Sequence, residues 1–199
     1  MKRFVTFLAM VGLMLSLSQP IEAQERGQWQ VKGGVGWFSL PDIFGHLVAG
    51  LGSIDTTEGV EYNEFAPMLN PNVEVYRGIN DWFALGGSFA LGYANFGSKF
   101  VGTGAISRSA EALYQTLCVA AQTRYFSMGE FSMYGSWGAG VMALISNQKT
   151  PGENDIQASV IPMVNLYPLS LSYGGDLGGF LEAGWGAKGF VNVGVYYNF

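Results

Sequence analysis

Charged side chains, cysteine and histidine are scarce in this sequence of 199 residues. Charged residues make up 13% of the chain, about half of the usual share of roughly 25%. The single cysteine, Cys118, cannot close an internal disulfide, and no metal cluster, phosphate-binding loop or nucleic-acid motif is present. A net charge of −5 also argues against binding nucleic acid, which requires a basic face. The sequence predicts no metal and no cofactor.

Long apolar runs are missing too, apart from one at the start. Beyond it, no segment approaches 18 unbroken apolar residues, so no membrane-spanning helix is predicted. The start has two basic residues, an apolar run over 4–17, Pro20 and the small residue Ala23. The run is shorter than the roughly 20 residues that a membrane span needs. Residues 1–23 are therefore predicted to be a signal peptide and 24–199 a single exported domain.

Glycine and aromatic residues are abundant instead, and apolar residues alternate with small or polar ones. The 29 glycines have no three-residue period, which excludes collagen. Alternation with a period of two is typical of strands whose two faces meet different surroundings. In the last segment, for example, every second residue from Val191 to Phe199 is apolar. The eight alternating segments lie at about 27–38, 68–77, 82–93, 110–126, 131–144, 157–173, 178–187 and 189–199.

The connections between these segments alternate in length. Those after the second, fourth and sixth segments are short, whereas those after the first and third are long. Short turns at one end and longer loops at the other are typical of outer-membrane barrels. Lipid offers no partner to backbone polar groups, so strands inside it must close into a ring. The predicted fold class is all-β: an eight-stranded antiparallel up-and-down transmembrane β-barrel.

The alternative fold is a soluble, lipocalin-like barrel. Such a barrel turns its apolar side inward and its charges outward. Here the polar faces carry mostly Gly, Ala and Ser with few charges, which favours the membrane barrel. Pro162 and Pro168 interrupt the sixth segment and leave its facing open.

The order of the signal peptide, the eight segments and the ending "GWGAKGFVNVGVYYNF" resembles small outer-membrane β-barrel proteins of Gram-negative bacteria, the porin-like OmpX/OmpW-type family. The resemblance covers roughly the whole of 24–199. It implies a monomer in outer-membrane lipid, delivered by periplasmic chaperones and inserted by the barrel-assembly machinery. In such proteins that machinery reads the aromatic last strand, and Val195, Tyr197 and Phe199 match its motif.

Four charged residues fall on the predicted inner face, namely Lys32, Glu74, Arg124 and Glu182. Each lies a few residues from the turn end of its strand, which predicts one layer with two charges of each sign. Charges at membrane depth need partners because their desolvation is costly. The layer is interpreted as a plug of ion pairs, since an eight-stranded lumen has room only for side chains. A gated pore or proton path is the alternative.

Beyond that layer the residues of the predicted inner face are unusually small. The missing side chains allow a pocket with the charged layer as its floor. The alternative is that Tyr114, Met142, Tyr196 and the sixth segment fill the space, since protein interiors are close-packed. The small residues are Gly34, Gly36, Gly86, Ser88, Ala90, Gly92, Ser136, Gly138, Gly140, Gly184 and Gly186.

The long first loop, at about 39–67, is acidic and has no Lys or Arg. Carboxylates are the ligands that hard divalent cations such as calcium prefer, although a solvated acidic loop is the simpler interpretation. The loop also holds His46, which would suit a lipid-modifying enzyme only beside a nucleophile or acid such as Ser39, Ser53 or Asp42. The acidic residues of the candidate site are Asp42, Asp55, Glu58, Glu61 and Glu64.

Together these features predict a non-enzymatic outer-membrane barrel that is porin-like or binds a small ligand. The alternative is a structural or surface protein that acts through its extracellular loops. A lipid-modifying enzyme is the third hypothesis, and it requires His46 close to a Ser or Asp at the lipid boundary.

Overall fold

A computed structural model describes residues 26–39, 60–62, 69–100, 106–150 and 153–199 of the chain. Within these ranges no helix is long and apolar enough to cross a membrane. The described residues form nine strands, eight of them in the barrel wall. The strands are β1 (Trp29–Trp37), β2 (Val60–Tyr62), β3 (Leu69–Asn80), β4 (Phe83–Phe100), β5 (Ile106–Met128), β6 (Phe131–Thr150), β7 (Glu153–Gly174), β8 (Leu177–Trp185) and β9 (Val191–Asn198).

The wall is a closed antiparallel ring. The ring consists of β1 and β3 to β9, and each of these strands pairs with the next one along the chain. β9 returns to pair with β1, where Val31 lies opposite Tyr197. The three residues of β2 lie outside this ring order and pair only with the far end of β4. Closure leaves no open edge at membrane depth, as lipid requires. The prediction of an eight-stranded up-and-down barrel is confirmed.

The two ends of the barrel differ. At one, which we call the turn end, two-residue turns join β3 to β4, β5 to β6 and β7 to β8. Asn80 shapes the first of these turns, because its Oδ1 accepts a hydrogen bond of 2.8 Å from the backbone N–H of Phe83. Gly129 supplies the positive φ of 58° in the second. We call the opposite end, where β1 and β4 finish, the loop end.

The strands are also unequal, so the wall is much taller on one side. β4 to β7 contain 18, 23, 20 and 22 residues. By contrast β1, β8 and β9 contain 9, 9 and 8. A membrane crossing needs about 9–11 residues per strand. The four long strands therefore extend well beyond a bilayer at the loop end.

The apolar residues face outward and the polar residues face the lumen. Leu117 and Val119 on β5 are 62% and 67% exposed, which is the reverse of a soluble barrel. The outer face is an apolar surface suited to hydrocarbon, and the lumen holds the polar side chains. The lipocalin-like alternative is thereby excluded. Buried polar residues of the lumen include Gln30, Asn70, Asn72, Thr116, Gln122, Asn165, Ser170 and Asn192.

A bulge settles the facing of β7, which the sequence leaves open. Asn165 and Tyr167 point into the lumen and are buried, but Pro168 and Leu169 are both exposed. Ser170 then returns to the lumen, and the pairing with β8 shifts register between Leu166 and Leu169. Proline cannot donate to the strand ladder, so it is accommodated where the ladder breaks.

Candidate functional site in the barrel lumen

Two lysines and two glutamates meet inside the barrel. Lys188 Nζ lies 2.7 Å from Glu74 Oε1 and 2.6 Å from Glu182 Oε2. Lys32 pairs with Glu182 and lies 3.8 Å from Glu74 Oε1. All four side chains are at most 2% exposed. Each carboxylate is shared by both lysines, so the charges of this ion-pair cluster cancel.

Neighbouring hydroxyls and an amide complete the hydrogen bonding of the cluster. Tyr134 donates to Glu182 Oε1 at 3.1 Å and accepts from Lys32 Nζ at 3.0 Å. Tyr76 donates to Glu74 Oε2 at 2.5 Å, and Asn192 Nδ2 donates to Glu182 Oε2 at 3.0 Å. Buried ion pairs offset their desolvation cost only when such additional hydrogen bonds are present. The cluster therefore links β1, β3, β8 and the connection of residues 186–190 across the lumen.

Lys188 reaches the cluster because the connection of residues 186–190 folds into the lumen. The backbone N–H of Ala187 donates to Asn165 Oδ1 at 2.8 Å, and Tyr167 donates its hydroxyl to the carbonyl of Gly189 at 2.8 Å. Gly189 has a φ of 107°, which favours glycine. A Cβ at Gly36 would overlap the carbonyl oxygen of Lys188. The absence of a side chain at Gly36 therefore makes room for the connection of residues 186–190.

The expected layer of four charges needs a correction. The structure brings Lys32, Glu74 and Glu182 together, but Arg124 lies nearer the turn end and belongs to no ion pair of the cluster. The second cation is Lys188, which lies in a connection, whereas alternation assigns an inner face only to strand residues. Its one signal in the sequence is that it is the only charged residue in the short connection of residues 186–190.

The predicted pocket is also wrong for the described part of the lumen. Asn192 and Phe180 occupy the space beside Gly34, and the Tyr114 ring occupies the space beside Gly92. Tyr114 hydrogen-bonds to Asn70, and its ring packs with Met142 and Met163. Side chains fill this volume, as the alternative interpretation held for Tyr114 and Met142. Tyr196, which that interpretation also named, lies instead at the turn end, where its hydroxyl donates to the carbonyl of Gly174. A cavity of about 10 Å³ lies on the other side of the cluster, towards the turn end.

The candidate cation site of the first loop lies almost wholly outside the described residues. Asp42, Asp55, Glu58 and Glu64 are not described, and of Glu61 only the strand position in β2 is known. His46 is outside the described ranges as well. In the described ranges no group of three or more His, Cys, Asp or Glu is placed to hold a metal ion. The loop site and the enzyme hypothesis stay predictions.

The three residues of the assembly motif lie on the outer face of β9. Val195, Tyr197 and Phe199 are all more than half exposed, and the last two rings stack with centroids 5.9 Å apart. The backbone N–H of Phe199 donates to the carbonyl of Trp29, which completes the closure of the barrel. This apolar row lies on the outside of the barrel where β9 pairs with β1, so it is accessible to other proteins. Recognition of this row by the assembly machinery stays a prediction.

Solved structures with a similar fold are small outer-membrane barrels. Ail, the attachment invasion locus protein of Yersinia pestis, is 13% identical, with a TM-score of 0.48 over 87% of this chain and 99% of that one. The N-terminal β-barrel domain of Pseudomonas aeruginosa OprF is 13% identical, with a TM-score of 0.44 over 88% and 100%. OprG of Pseudomonas aeruginosa is 11% identical, with a TM-score of 0.39 over 90% and 99%.

No protein-family model and no curated protein sequence matches this chain. The closed ring of eight strands and its apolar exterior define the class of the protein, a small outer-membrane β-barrel. The closed ring and the apolar exterior confirm the fold that was predicted for this class.

Proposed function

We propose that this protein is a closed, non-enzymatic barrel of the outer membrane that acts at the cell surface through its loop end, and not as a pore. The observation that carries the proposal is the ion-pair cluster, whose four buried side chains cross-brace the lumen. Tyr114 and the inserted connection of residues 186–190 occupy the lumen beyond it. A lumen blocked in two places leaves solutes no continuous path.

The height of β4 to β7 supports the same proposal. With 23 residues, β5 is about twice as long as a membrane crossing requires. The excess stands outside the bilayer as a sheet, to which β2 pairs along β4. Binding residues are commonly placed on loops that a rigid scaffold positions. The barrel is thus an anchor, and the sheet with its loops is the surface presented to partners.

Porin-like transport is the competing function, and single-channel recording separates the two. We expect the folded protein in planar lipid bilayers to be electrically silent, because the cluster leaves no continuous water path. A porin reconstituted in the same bilayers is the positive control, and folding is checked by the gel shift of unheated samples. Steady conductance of the folded wild type would overturn the proposal and restore the porin-like hypothesis.

Cysteine labelling of intact cells tests which end faces outward. In a Cys118→Ala background, we expect Ile156→Cys at the loop end to react with a membrane-impermeant maleimide on intact cells. Asp176→Cys in a turn is the matched control and should react only after the outer membrane is permeabilised. Both positions are exposed, so accessibility depends on the side of the membrane. The reverse pattern would contradict the orientation and the surface function.

A further inference from the structure

Arg124 is the one lumen cation among the described residues without a carboxylate partner. It lies on β5 near the turn end, and its backbone N–H donates to the carbonyl of Trp82 at 2.8 Å. Its Nη1 atom is buried and has no hydrogen-bond partner. The acidic residue whose field reaches it is Asp81 in the adjacent turn, but the two form no ion pair. An enclosed guanidinium N–H of this kind requires an acceptor.

A second unpartnered donor lies close by. Gln122, two residues earlier on the same face of β5, is 6% exposed, and its Nε2 has no partner. Both side chains line the cavity of about 10 Å³, which we call the donor cavity, and this volume has room for one species about the size of a water. The other residues lining it are Gln30, Lys32, Trp82, Tyr134, Ser172 and Tyr196.

Several of the lining side chains already form hydrogen bonds with groups outside the cavity or with each other. Gln30 Nε2 donates to Asn198 Oδ1 at 2.9 Å, and Tyr196 donates its hydroxyl to the carbonyl of Gly174 at 2.7 Å. Lys32 is held by Glu182 and Tyr134. The buried donors of the lining that have no partner are Arg124 Nη1 and Gln122 Nε2. The donor cavity therefore presents unpaired N–H groups, which favour an occupant that accepts hydrogen bonds.

The charge balance of the lumen points the same way. Lys32 and Lys188 are neutralised by Glu74 and Glu182, so among the described lumen side chains Arg124 leaves an excess of one positive charge. An uncompensated charge inside a barrel is costly, and a counter-ion in contact with it removes most of that cost. Lys32, on the wall of the same cavity, adds to the positive potential there.

We propose that the donor cavity binds one small inorganic anion of halide size, held by Arg124 Nη1 and Gln122 Nε2. The site adjoins the ion-pair cluster, because Lys32 and Tyr134 line the cavity, but it is independent of whether the lumen conducts. An anion there completes the charge balance of the lumen and ties β5 to the turn between β3 and β4. Its occupant is distinguishable from an ordered water because bromide replaces chloride and scatters anomalously.

The direct test is crystallographic. Crystals of the wild-type protein grown in sodium bromide should give an anomalous peak in the donor cavity, in contact with Arg124 Nη1. Crystals of Arg124→Met grown in the same solution should show no peak there. A wild-type cavity that contains only water, or anomalous peaks confined to the protein surface, would overturn the proposal.

A solution experiment gives an independent readout in case the variant does not crystallise. Bromide in place of an equal concentration of isethionate should slow unfolding of the wild type in a saturable way, by about elevenfold at ten times the dissociation constant if unfolding requires release of the ion. The effect should vanish in Arg124→Met and persist in Arg77→Met. Arg77 is the matched control because it lies near the same end but on the outer face, with its guanidinium 5.6 Å from the Trp29 ring centroid. An equal salt response in all three proteins would refute a specific site.

Discussion

Replacing Lys188 by methionine is expected to destabilise the folded barrel by about 3–5 kcal/mol, the usual cost of removing one partner from a buried ion pair. Lys188 Nζ contacts both carboxylates of the ion-pair cluster. Without it, Lys32 alone must neutralise Glu74 and Glu182, and one buried negative charge remains. The connection of residues 186–190 also loses the two contacts of Lys188 and is then held in the lumen by Asn165 and Tyr167. The measurement is urea unfolding in lipid vesicles, followed by tryptophan fluorescence.

A compensating variant separates charge from packing. Lys188→Met combined with Glu74→Gln leaves one lysine and one carboxylate, so the cluster is neutral again. This double variant is expected to recover more than half of the stability lost in the single variant. Arg26→Met is the matched control, because Arg26 is an exposed cation, and its variant should unfold like the wild type. Equal losses in the single and double variants would show that packing, and not charge balance, makes Lys188 important.

Replacing Gly36 by valine is expected to prevent stable folding. A Cβ at this position would overlap the carbonyl oxygen of Lys188, which is backbone and cannot swing aside as a side chain would. The connection of residues 186–190 would have to leave the lumen and take Lys188 out of the cluster. The loss is therefore expected to match or exceed that of Lys188→Met, at about 3–5 kcal/mol or more. The folded fraction after refolding into vesicles, read from the gel shift of unheated samples, measures it.

Gly33 offers a matched control three residues earlier on the same strand. A Cβ at Gly33 meets no atom within 4 Å, since that position lies on the outer face of β1. Gly33→Val is expected to fold as well as the wild type or better, because valine favours strands and an apolar outer face. If Gly33→Val and Gly36→Val fold equally well, the inserted connection is not a fixed part of the structure.

The alternation of apolar and small or polar residues was enough to predict most strands of the wall and which of their faces points inward. The strands β1, β3 to β6, β8 and β9 were predicted with their facing, because lipid outside and a polar lumen inside impose a period of two. β7 was the exception. Its bulge places Pro168 and Leu169 on the same side, and a bulge shifts the period by one residue wherever it occurs.

The sequence by itself determined the class of protein, an eight-stranded membrane barrel, and three members of the ion-pair cluster, Lys32, Glu74 and Glu182. These follow from local periodicity, since a strand residue faces inward or outward according to its position. Tertiary structure alone decided that Lys188 completes the cluster and that Arg124 is left with Gln122 in the donor cavity. Both depend on how far the strands are staggered and on a connection that folds inward. Stagger and loop path are set by closure of the whole ring, which no single segment encodes.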